Sequence, residues 1–254
     1  VQIDDAWQGV DERTTRDWTN VTDAFPEGMA ALAAAIRELG LTPGIWIAPH
    51  GQSNPDVVAA TAGIWLVNED GVSVSDTWEG DWLLDPSVPE SHDYLRELFG
   101  RLAGWGYEYF KIDGQPIVAA EYRNKLRFMR NAEAGVDGNE YYRRTLRTIR
   151  ETIGEERYLL GCWGIPTEGA GIYNGSRTGG DIVLGWSGFL EAWEATLRNY
   201  YTHNIFWYAD ADVMCVRSPL TIEQARCWAT LQGLTGQAMM ASDRMMDLSE
   251  ERVE

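Results

Sequence analysis

The sequence predicts an α/β protein folded as a (β/α)8 TIM barrel, with the first strand of the barrel missing from this fragment. Two observations lead to this prediction. Short apolar runs rich in β-formers alternate with longer segments of helical periodicity along most of the chain, as in parallel βαβ units. The length of 254 residues is also what such a barrel needs, so we expect a single domain over residues 1–254.

The first half of the chain alternates strands and helices in a clear order. A short strand at residues 2–3 comes first. A proline near the N-terminus and a glycine just past the last apolar position then bound a helix over residues 25–39. Apolar spacing continues the order with a strand over 44–49, a helix over 89–105 and a strand over 107–113.

The second half repeats the alternation around one glycine-rich loop. We expect a helix over 139–153, a strand over 157–162, the glycine-rich loop over 161–180, a helix over 187–201, a strand over 205–209, a helix over 221–234 and a strand over 237–242. Residues 51–81 are the least periodic stretch, which predicts a long loop with some local structure. About seven strand positions fit a fold that needs eight, and the first strand is the one we expect to be missing.

The ends of the chain also indicate a fragment. The sequence begins at Val1 without an initiator methionine, and residues 248–254 resemble the start of a capped helix. We therefore expect the missing first strand to lie outside residues 1–254.

The composition excludes two classes of partner. The chain has 21 basic and 39 acidic residues, a net charge of −18, which repels nucleic acid and anionic membrane surfaces. It also lacks an apolar run of the length that spans a membrane. Three cysteines without disulfide or zinc spacing favour a reducing compartment and hence the cytoplasm, while the absent N-terminus leaves the localisation undetermined.

Carboxylates are concentrated where predicted strands end, which is the edge that carries the active site in parallel barrels. One aspartate at such a place is more often a loop or cap residue, but six together favour a site for a polyhydroxy ligand, a cation or an acid/base pair. Tryptophans beside the same ends can pack on the apolar face of a pyranose, although most of the twelve must lie in the core. The carboxylates are Asp4, Asp5, Asp113, Asp210, Asp212 and Asp243, and the tryptophans are Trp7, Trp46, Trp163 and Trp207.

Two pairs of oppositely charged residues also stand out in the sequence. Lys111 and Asp113 leave the same face of one strand, so the ammonium favours the ionised carboxylate that a nucleophile needs; a structural ion pair is the alternative. Arg177 and Asp181 share a loop with two glycines, where the backbone can approach a ligand closely. Because the three histidines form no metal-binding pattern, and nucleophile-elbow and phosphate-loop motifs are absent, the sequence predicts neither a metal nor a cofactor.

A series of short motifs extends over nearly the whole chain in a fixed order. They are Asp4-Asp5-Ala6-Trp7, Phe25-Pro26-Glu27-Gly28-Met29, Gly40-Leu41-Thr42-Pro43-Gly44-Ile45-Trp46, Lys111-Ile112-Asp113, Cys162, the Arg-x-x-x-Asp loop from Arg177 to Asp181, Asp210-Ala211-Asp212-Val213-Met214 and Ser242-Asp243. Together they resemble the α-galactosidase superfamily, clan D of the glycoside hydrolases, and within it the melibiase-like families 27 and 36.

The resemblance implies a retaining hydrolase of terminal α-linked galactose-type sugars that works by double displacement without a cofactor. Asp113 would be its nucleophile and Asp181 its acid/base. The substrate would be an oligosaccharide or glycoside, and its binding residues would be Asp4, Asp5, Trp46, Lys111, Cys162, Trp163 and Arg177. The resemblance also places the first strand and a C-terminal β-domain outside this fragment, and it leaves homo-oligomerisation open.

Departures from family 36 leave the exact sugar open. Ala48-Pro49-His50-Gly51 stands where bacterial members carry Glu-Pro-Glu-Met, and Gln115 stands where asparagine is frequent. A transglycosylase or an α-N-acetylgalactosaminidase would keep Asp113 and Asp181. A non-catalytic sugar-binding barrel would have lost one of these two carboxylates, and a Schiff-base lyase or aldolase would need a lysine without a carboxylate partner, unlike Lys111.

Overall fold

The computed structural model describes residues 1–9, 16–75 and 77–253 and is organised around one parallel sheet. The strands among these residues are β1 (Gln2–Ile3), β2 (Gly44–Ile47), β3 (Gly51–Gln52), β4 (Trp82–Leu83), β5 (Tyr109–Ile112), β6 (Tyr158–Gly161), β7 (Gly175–Arg177), β8 (Tyr208–Met214) and β9 (Ala238–Ala241). Seven of them pair in parallel in the order β1-β2-β5-β6-β7-β8-β9, while β3 and β4 form a separate antiparallel pair. This curled parallel sheet confirms the predicted barrel class.

The sheet is open on one side. β1 and β9 are its two edges, and among the described residues neither pairs with a further strand. A closed eight-stranded barrel has no such edges, because every strand then has two neighbours. The seven-stranded count and the exposed edge beside β1 agree with the sequence prediction.

Helices occupy the connections between the strands. They are α1 (Gly28–Glu38), α2 (Pro55–Ala60), α3 (Pro89–Gly104), α4 (Gln115–Asn124), α5 (Gly138–Ile153), α6 (Trp186–Asn199), α7 (Ile222–Thr235) and α8 (Glu250–Val253). Short 3₁₀ helices occur at Leu126–Phe128, Thr167–Gly169, Tyr200–Thr202 and Met245–Asp247. Local signals explain the boundaries: α7, for example, begins at a capping box between Thr221 and Gln224 and ends at Gly236, whose φ is 66°.

Three sequence predictions of elements need correction. The expected loop at 161–180 contains β7, where Gly175 packs so closely on Tyr158 that a Cβ atom would lie 2.3 Å from the Tyr158 hydroxyl. The strand expected at 205–209 begins only at Tyr208, because the residues before it form a 3₁₀ helix and a turn. Helix α4 was not predicted, although the left-handed Gly114 and a proline in the first turn mark its start.

Apolar side chains form two cores of unequal size. The larger brings β2, β5 and β6 together with α1, α3, α4 and α5, and it includes the fully buried Phe110. The smaller joins α6, β8 and α7, and its centre is an edge-to-face contact between Phe189 and Trp228. Over the described ranges, the structure contains no helix with both the length and the apolar character required to cross a bilayer.

Candidate active site

Asp113 follows β5 directly and is held from two sides. The Trp46 indole Nε1 donates to its Oδ2 at 2.8 Å, and the Gly114 N–H donates to its Oδ1 at 2.8 Å. Trp46 can reach it because β2 is the parallel neighbour of β5. The side chain is almost buried, since Asp113 is 7% exposed. These contacts fix the orientation of the carboxylate at the C-terminal edge of the sheet, where a barrel presents its reactive groups.

Lys111 links β5 to the aspartates that follow β1. Its Nζ lies 3.0 Å from Asp4 Oδ2, and this lysine is largely buried. The sequence interpretation paired Lys111 with Asp113, but in the structure its ammonium hydrogen-bonds Asp4, while Asp113 accepts from Trp46 and Gly114. Asp5 pairs with Arg16 at 3.3 Å.

Arg177 ends β7 and anchors the loop that carries Asp181. Its buried guanidinium donates to the Gly180 carbonyl at 2.6 Å and to Asp181 Oδ1 at 3.3 Å, and it pairs with Asp212 Oδ2 at 2.8 Å. The same Asp212 oxygen accepts the Ile182 N–H at 2.7 Å. The side chain of Asp181, in contrast, is 80% exposed. An anchored backbone therefore presents an exposed carboxyl group, one oxygen of which accepts from Arg177.

Strand β8 supplies two carboxylates behind this loop. Asp212 adopts a left-handed backbone conformation, with φ 73°, within the interval where the pairing of β8 with β9 shifts register. Its N–H donates to Asp210 Oδ1 at 2.8 Å, and its carbonyl accepts from Gln232 of α7 at 3.0 Å. Burial, together with the Asp212 charge, raises the pKa of Asp210, whereas Arg177 opposes that shift.

Cys162 follows β6 and lies close to both basic side chains. Arg177 Nη1 is 3.4 Å from its Sγ. Burial raises the pKa of the Cys162 thiol although Arg177 and Lys111 lower it, so the group is a thiol at neutral pH. The Cys162 N–H donates to the Ile112 carbonyl at 2.8 Å, so this predicted site residue lies beside the end of β5, where Asp113 follows.

An aromatic wall, formed by Trp46, Trp78 and Trp163, borders Asp113. Trp78 makes a T-shaped contact with Trp46 at 6.0 Å between ring centroids, and it lies 4.9 Å from the Trp163 ring. The Arg16 guanidinium lies 4.2 Å from the centroid of Trp78. Sequence reasoning missed Trp78 and Arg16, because both come from aperiodic segments and no spacing ties them to a strand end.

A polar cavity of about 290 Å³ lies beside these charged groups, and its lining does not include Asp113, Arg177 or Asp5. The predicted site residues among those that line it are Asp4, Lys111 and Asp181, and Asp210 and Asp212 of β8 line it too. The cavity thus collects side chains from the ends of β1, β5, β7 and β8. Within the described part of the chain, no group of three or more His, Cys, Asp and Glu side chains is placed to hold a metal ion.

Three other residues that the sequence placed beside strand ends form structural contacts outside the candidate site. Asp243 accepts the Val216 N–H and forms an ion pair with Arg217. Trp7 is buried in the larger core, where its Nε1 donates to the Trp46 carbonyl at 2.7 Å. Trp207 is also buried and precedes β8.

Known proteins resemble this chain in sequence and in fold. An α-galactosidase of Escherichia coli is 27% identical over 155 residues, which is 59% of this chain and 21% of the E. coli protein. The α-galactosidase of Thermus thermophilus in complex with p-nitrophenyl α-D-galactopyranoside is 28% identical, with a TM-score of 0.71 over 99% of this chain and 53% of that one. A family 27 β-L-arabinopyranosidase from Geobacillus stearothermophilus shares the fold, with a TM-score of 0.73 at 17% identity over 100% of this chain and 64% of that one.

The chain spans about a fifth of the E. coli protein and about half of the Thermus thermophilus chain. The sequence profile of the melibiase family matches residues 1–137, which is more than half of the 254 residues. The matched part includes Asp4, Trp46, Lys111 and Asp113. The chain therefore belongs to the melibiase family.

Proposed function

We propose that residues 1–254 form the catalytic barrel domain of a retaining glycoside hydrolase, which removes terminal α-linked galactose-type sugars from oligosaccharides and other glycosides. One observation carries the proposal: Asp113 is fixed by two N–H donors at the end of β5, while Asp181 stands exposed on a loop that Arg177 anchors. The sugar class is supported by a relative, because the Thermus thermophilus α-galactosidase binds p-nitrophenyl α-D-galactopyranoside and stachyose in its solved complexes.

In the first step, an Asp113 oxygen forms a bond to the anomeric carbon while the bond from that carbon to the leaving-group oxygen breaks. Asp181 gives its proton to the departing oxygen. The hydrogen bonds from Trp46 and Gly114 keep the Asp113 carboxylate in the orientation that the attack requires. We expect the two carboxyl groups to lie about 5–5.5 Å apart in the substrate complex, as in other retaining enzymes.

In the second step, Asp181, now a carboxylate, takes a proton from a water molecule that attacks the anomeric carbon. The ester bond to Asp113 breaks, and the sugar leaves with its original anomeric configuration. The exposure of Asp181 supports this role, because the group must meet first the leaving group and then the incoming water.

The remaining residues would bind the sugar. Asp4 and Asp5 offer carboxylate oxygens to its 4- and 6-hydroxyls, and Lys111 and Arg177 offer donors to other ring hydroxyls. The aromatic wall, which includes the predicted Trp46 and Trp163, provides flat apolar surface for the C–H face of the ring. Cys162 completes the pocket between the nucleophile and Arg177.

Covalent trapping tests this proposal. The full-length protein should be inactivated by a mechanism-based α-galactosyl inactivator, and peptide mapping should find the label on Asp113. Proton NMR of the first-formed sugar from p-nitrophenyl α-D-galactopyranoside should show retained configuration. Labelling at another residue, or an inverted first product, would overturn the mechanism. The corresponding N-acetylgalactosaminide, assayed in parallel, separates the two sugar specificities.

A further inference from the structure

Glu79 is a buried carboxyl group next to the nucleophile that the proposed mechanism does not use. It lies in the tight turn between Thr77 and Gly80 that precedes β4. Its side chain is inaccessible to solvent, and neither carboxyl oxygen has a hydrogen-bond partner in the part of the chain that the structure describes. A buried carboxyl group without a hydrogen-bond partner lowers the stability of the folded state, so its presence beside Asp113 calls for a physical explanation.

Two glycines make room for this residue. A Cβ atom on Gly114 would fall 1.4 Å from Glu79 Oε1, and Gly114 has the left-handed φ of 73° that favours glycine. A Cβ atom on Gly51 of β3 would fall 1.9 Å from the Glu79 carbonyl oxygen. Glu79 is therefore wedged between β3 and the turn that follows Asp113.

Glu79 packs on the residue that orients the nucleophile. The Gly114 N–H is one of the two donors that hold Asp113, at 2.8 Å from Oδ1. The Glu79 carboxyl occupies the space beside the same glycine. Any movement of the Glu79 side chain would consequently change the freedom of the turn that presents Asp113.

The surroundings of Glu79 favour its neutral form. Burial is the main cause that raises the pKa of Glu79 well above its ordinary value, and the Asp113 charge adds to it, whereas Arg16 opposes the shift. The other titratable groups that interact electrostatically with Glu79 are Tyr122 of α4, Tyr142 of α5 and Tyr173. Among all of these neighbours only Arg16 carries a positive charge at neutral pH.

We propose that Glu79 is a positioning residue of this site: a neutral carboxylic acid that packs on Gly114, holds the turn that presents Asp113, and leaves the negative charge at the end of β5 on Asp113. The inference rests on the proposed function for its kinetic consequences but not for the protonation of Glu79. The two parts are therefore tested separately.

Infrared difference spectroscopy tests the protonation without any assay of activity. The spectrum of the full-length protein at pH 7 minus that of Glu79→Gln should contain the C=O band of a protonated carboxyl group, and the band should shift in D2O. Glu97→Gln, which replaces an exposed glutamate of α3, is the matched control and should leave the band in place. Absence of the band from the Glu79→Gln difference would overturn the proposal whether or not the protein is a galactosidase.

Kinetics test the positioning role. Glu79→Ala should lower kcat for p-nitrophenyl α-D-galactopyranoside by about 10–100-fold with a smaller change in KM, because the turn beside Asp113 loses its support. Glu79→Gln should restore most of that loss, since the amide has nearly the same shape without a charge. Equal kcat in Glu79→Ala and wild type would overturn the role.

The pH profile adds a readout that a purely structural role would not change. A dinitrophenyl α-galactoside is the substrate of choice, because its leaving group departs without a proton and so reports on Asp113 and its surroundings. Wild-type activity should decline at alkaline pH as Glu79 ionises beside Asp113, and Glu79→Gln should keep its activity further into that range. If the wild type and Glu79→Gln lost activity over the same alkaline pH range, the result would contradict the proposal. If the wild type cleaves no α-galactoside, the proposed function fails, and the infrared result still decides the state of Glu79.

Discussion

The two halves of the sheet differ sharply in packing. Among the described residues, the part before residue 174 contributes 32 buried apolar residues to one core, whereas the part after residue 181 contributes six to a second core. Over the same described ranges, the second part exposes thirteen large apolar side chains, against six in the longer first part. Because buried apolar surface is the main stabilising term in folding, we expect the second half to open locally at a lower free-energy cost than the first.

The two carboxyl groups of the candidate site also differ in how firmly they are held. Asp113 belongs to the densely packed half and is held in one orientation. Asp181 belongs to the loop between the halves, and its carboxyl group is exposed. A nucleophile benefits from fixed geometry, whereas a group that serves first as acid and then as base must meet two different partners. The contrast between a held and an exposed carboxyl group therefore suits the two proposed roles.

The largest expected effects come from removing each carboxylate in turn. Asp113→Ala should lower kcat by about 10⁴-fold or more, because no other group can form the glycosyl ester. Added azide should restore part of the activity and give a product of inverted configuration. Asp181→Ala should lower kcat by about 10²–10⁴-fold for a substrate with a poor leaving group. Its glycosylation rate with an aryl glycoside should fall much less, because that leaving group departs without an acid.

Product analysis and pre-steady-state kinetics check this contrast. The Asp181→Ala enzyme should release a burst of nitrophenol and then stall, because no base activates water. Asp93→Ala, which removes an exposed carboxylate from α3, serves as the control and should keep normal turnover. Identical leaving-group dependence for the Asp113 and Asp181 variants would refute the separate roles.

A matched pair of core substitutions measures the packing difference itself. Phe110 and Phe189 are both fully buried, one in each core. Phe110→Ala should cost about 3–5 kcal/mol of unfolding free energy, while the cost of Phe189→Ala should lie at or below the lower end of that range, because a sparsely packed site collapses more easily around the cavity. Native-state hydrogen exchange of the full-length protein can assign each loss to its half. Equal losses would show that the small core is as rigid as the large one.

A smaller effect should come from the contacts that anchor the Asp181 loop. Asp212→Asn keeps an acceptor for the Ile182 N–H but removes one of the two carboxylates that pair with Arg177. Loss of such a charge-assisted contact should lower kcat/KM by about 10–100-fold for substrates with poor leaving groups and by less for dinitrophenyl glycosides. Asp243→Asn is the control, because Asp243 pairs with Arg217 in the same half. An equal decrease for both kinds of substrate would rule out a role through Asp181.

The sequence predicted the parallel fold and most elements, because strand ends and helix caps carry local signals. Strand-end reasoning also placed Asp113 and Trp46 at one edge of the sheet, where they hydrogen-bond, whereas Cys162 was placed in the site only by the resemblance to a family. It did not predict Trp78, whose place in the site depends on how an aperiodic segment folds back over β2. A short strand such as β7 escaped detection for a similar reason, because three residues have no measurable periodicity.

The last prediction concerns the pH dependence of the larger core. Burial lowers the pKa of His50 to about 3, with a further contribution from His92, so the folded state keeps His50 neutral where the unfolded chain binds a proton. The unfolded state therefore holds more protons below about pH 6.5, and the free energy of unfolding should fall by up to about 1.4 kcal/mol per pH unit as the pH drops from there towards 3. Because one His50 nitrogen hydrogen-bonds Thr145 at 2.9 Å, a change to phenylalanine also costs some stability at neutral pH, and only the slope is diagnostic. Denaturant titrations between pH 4 and 7 give the free energy of unfolding at each pH. This free energy should depend less steeply on pH for His50→Phe than for the wild type or for His203→Gln, which alters a histidine of the sparsely packed half. An unchanged slope in His50→Phe would mean that the folded protein binds a proton at His50 as readily as the unfolded chain does, and it would contradict the closed packing around this side chain.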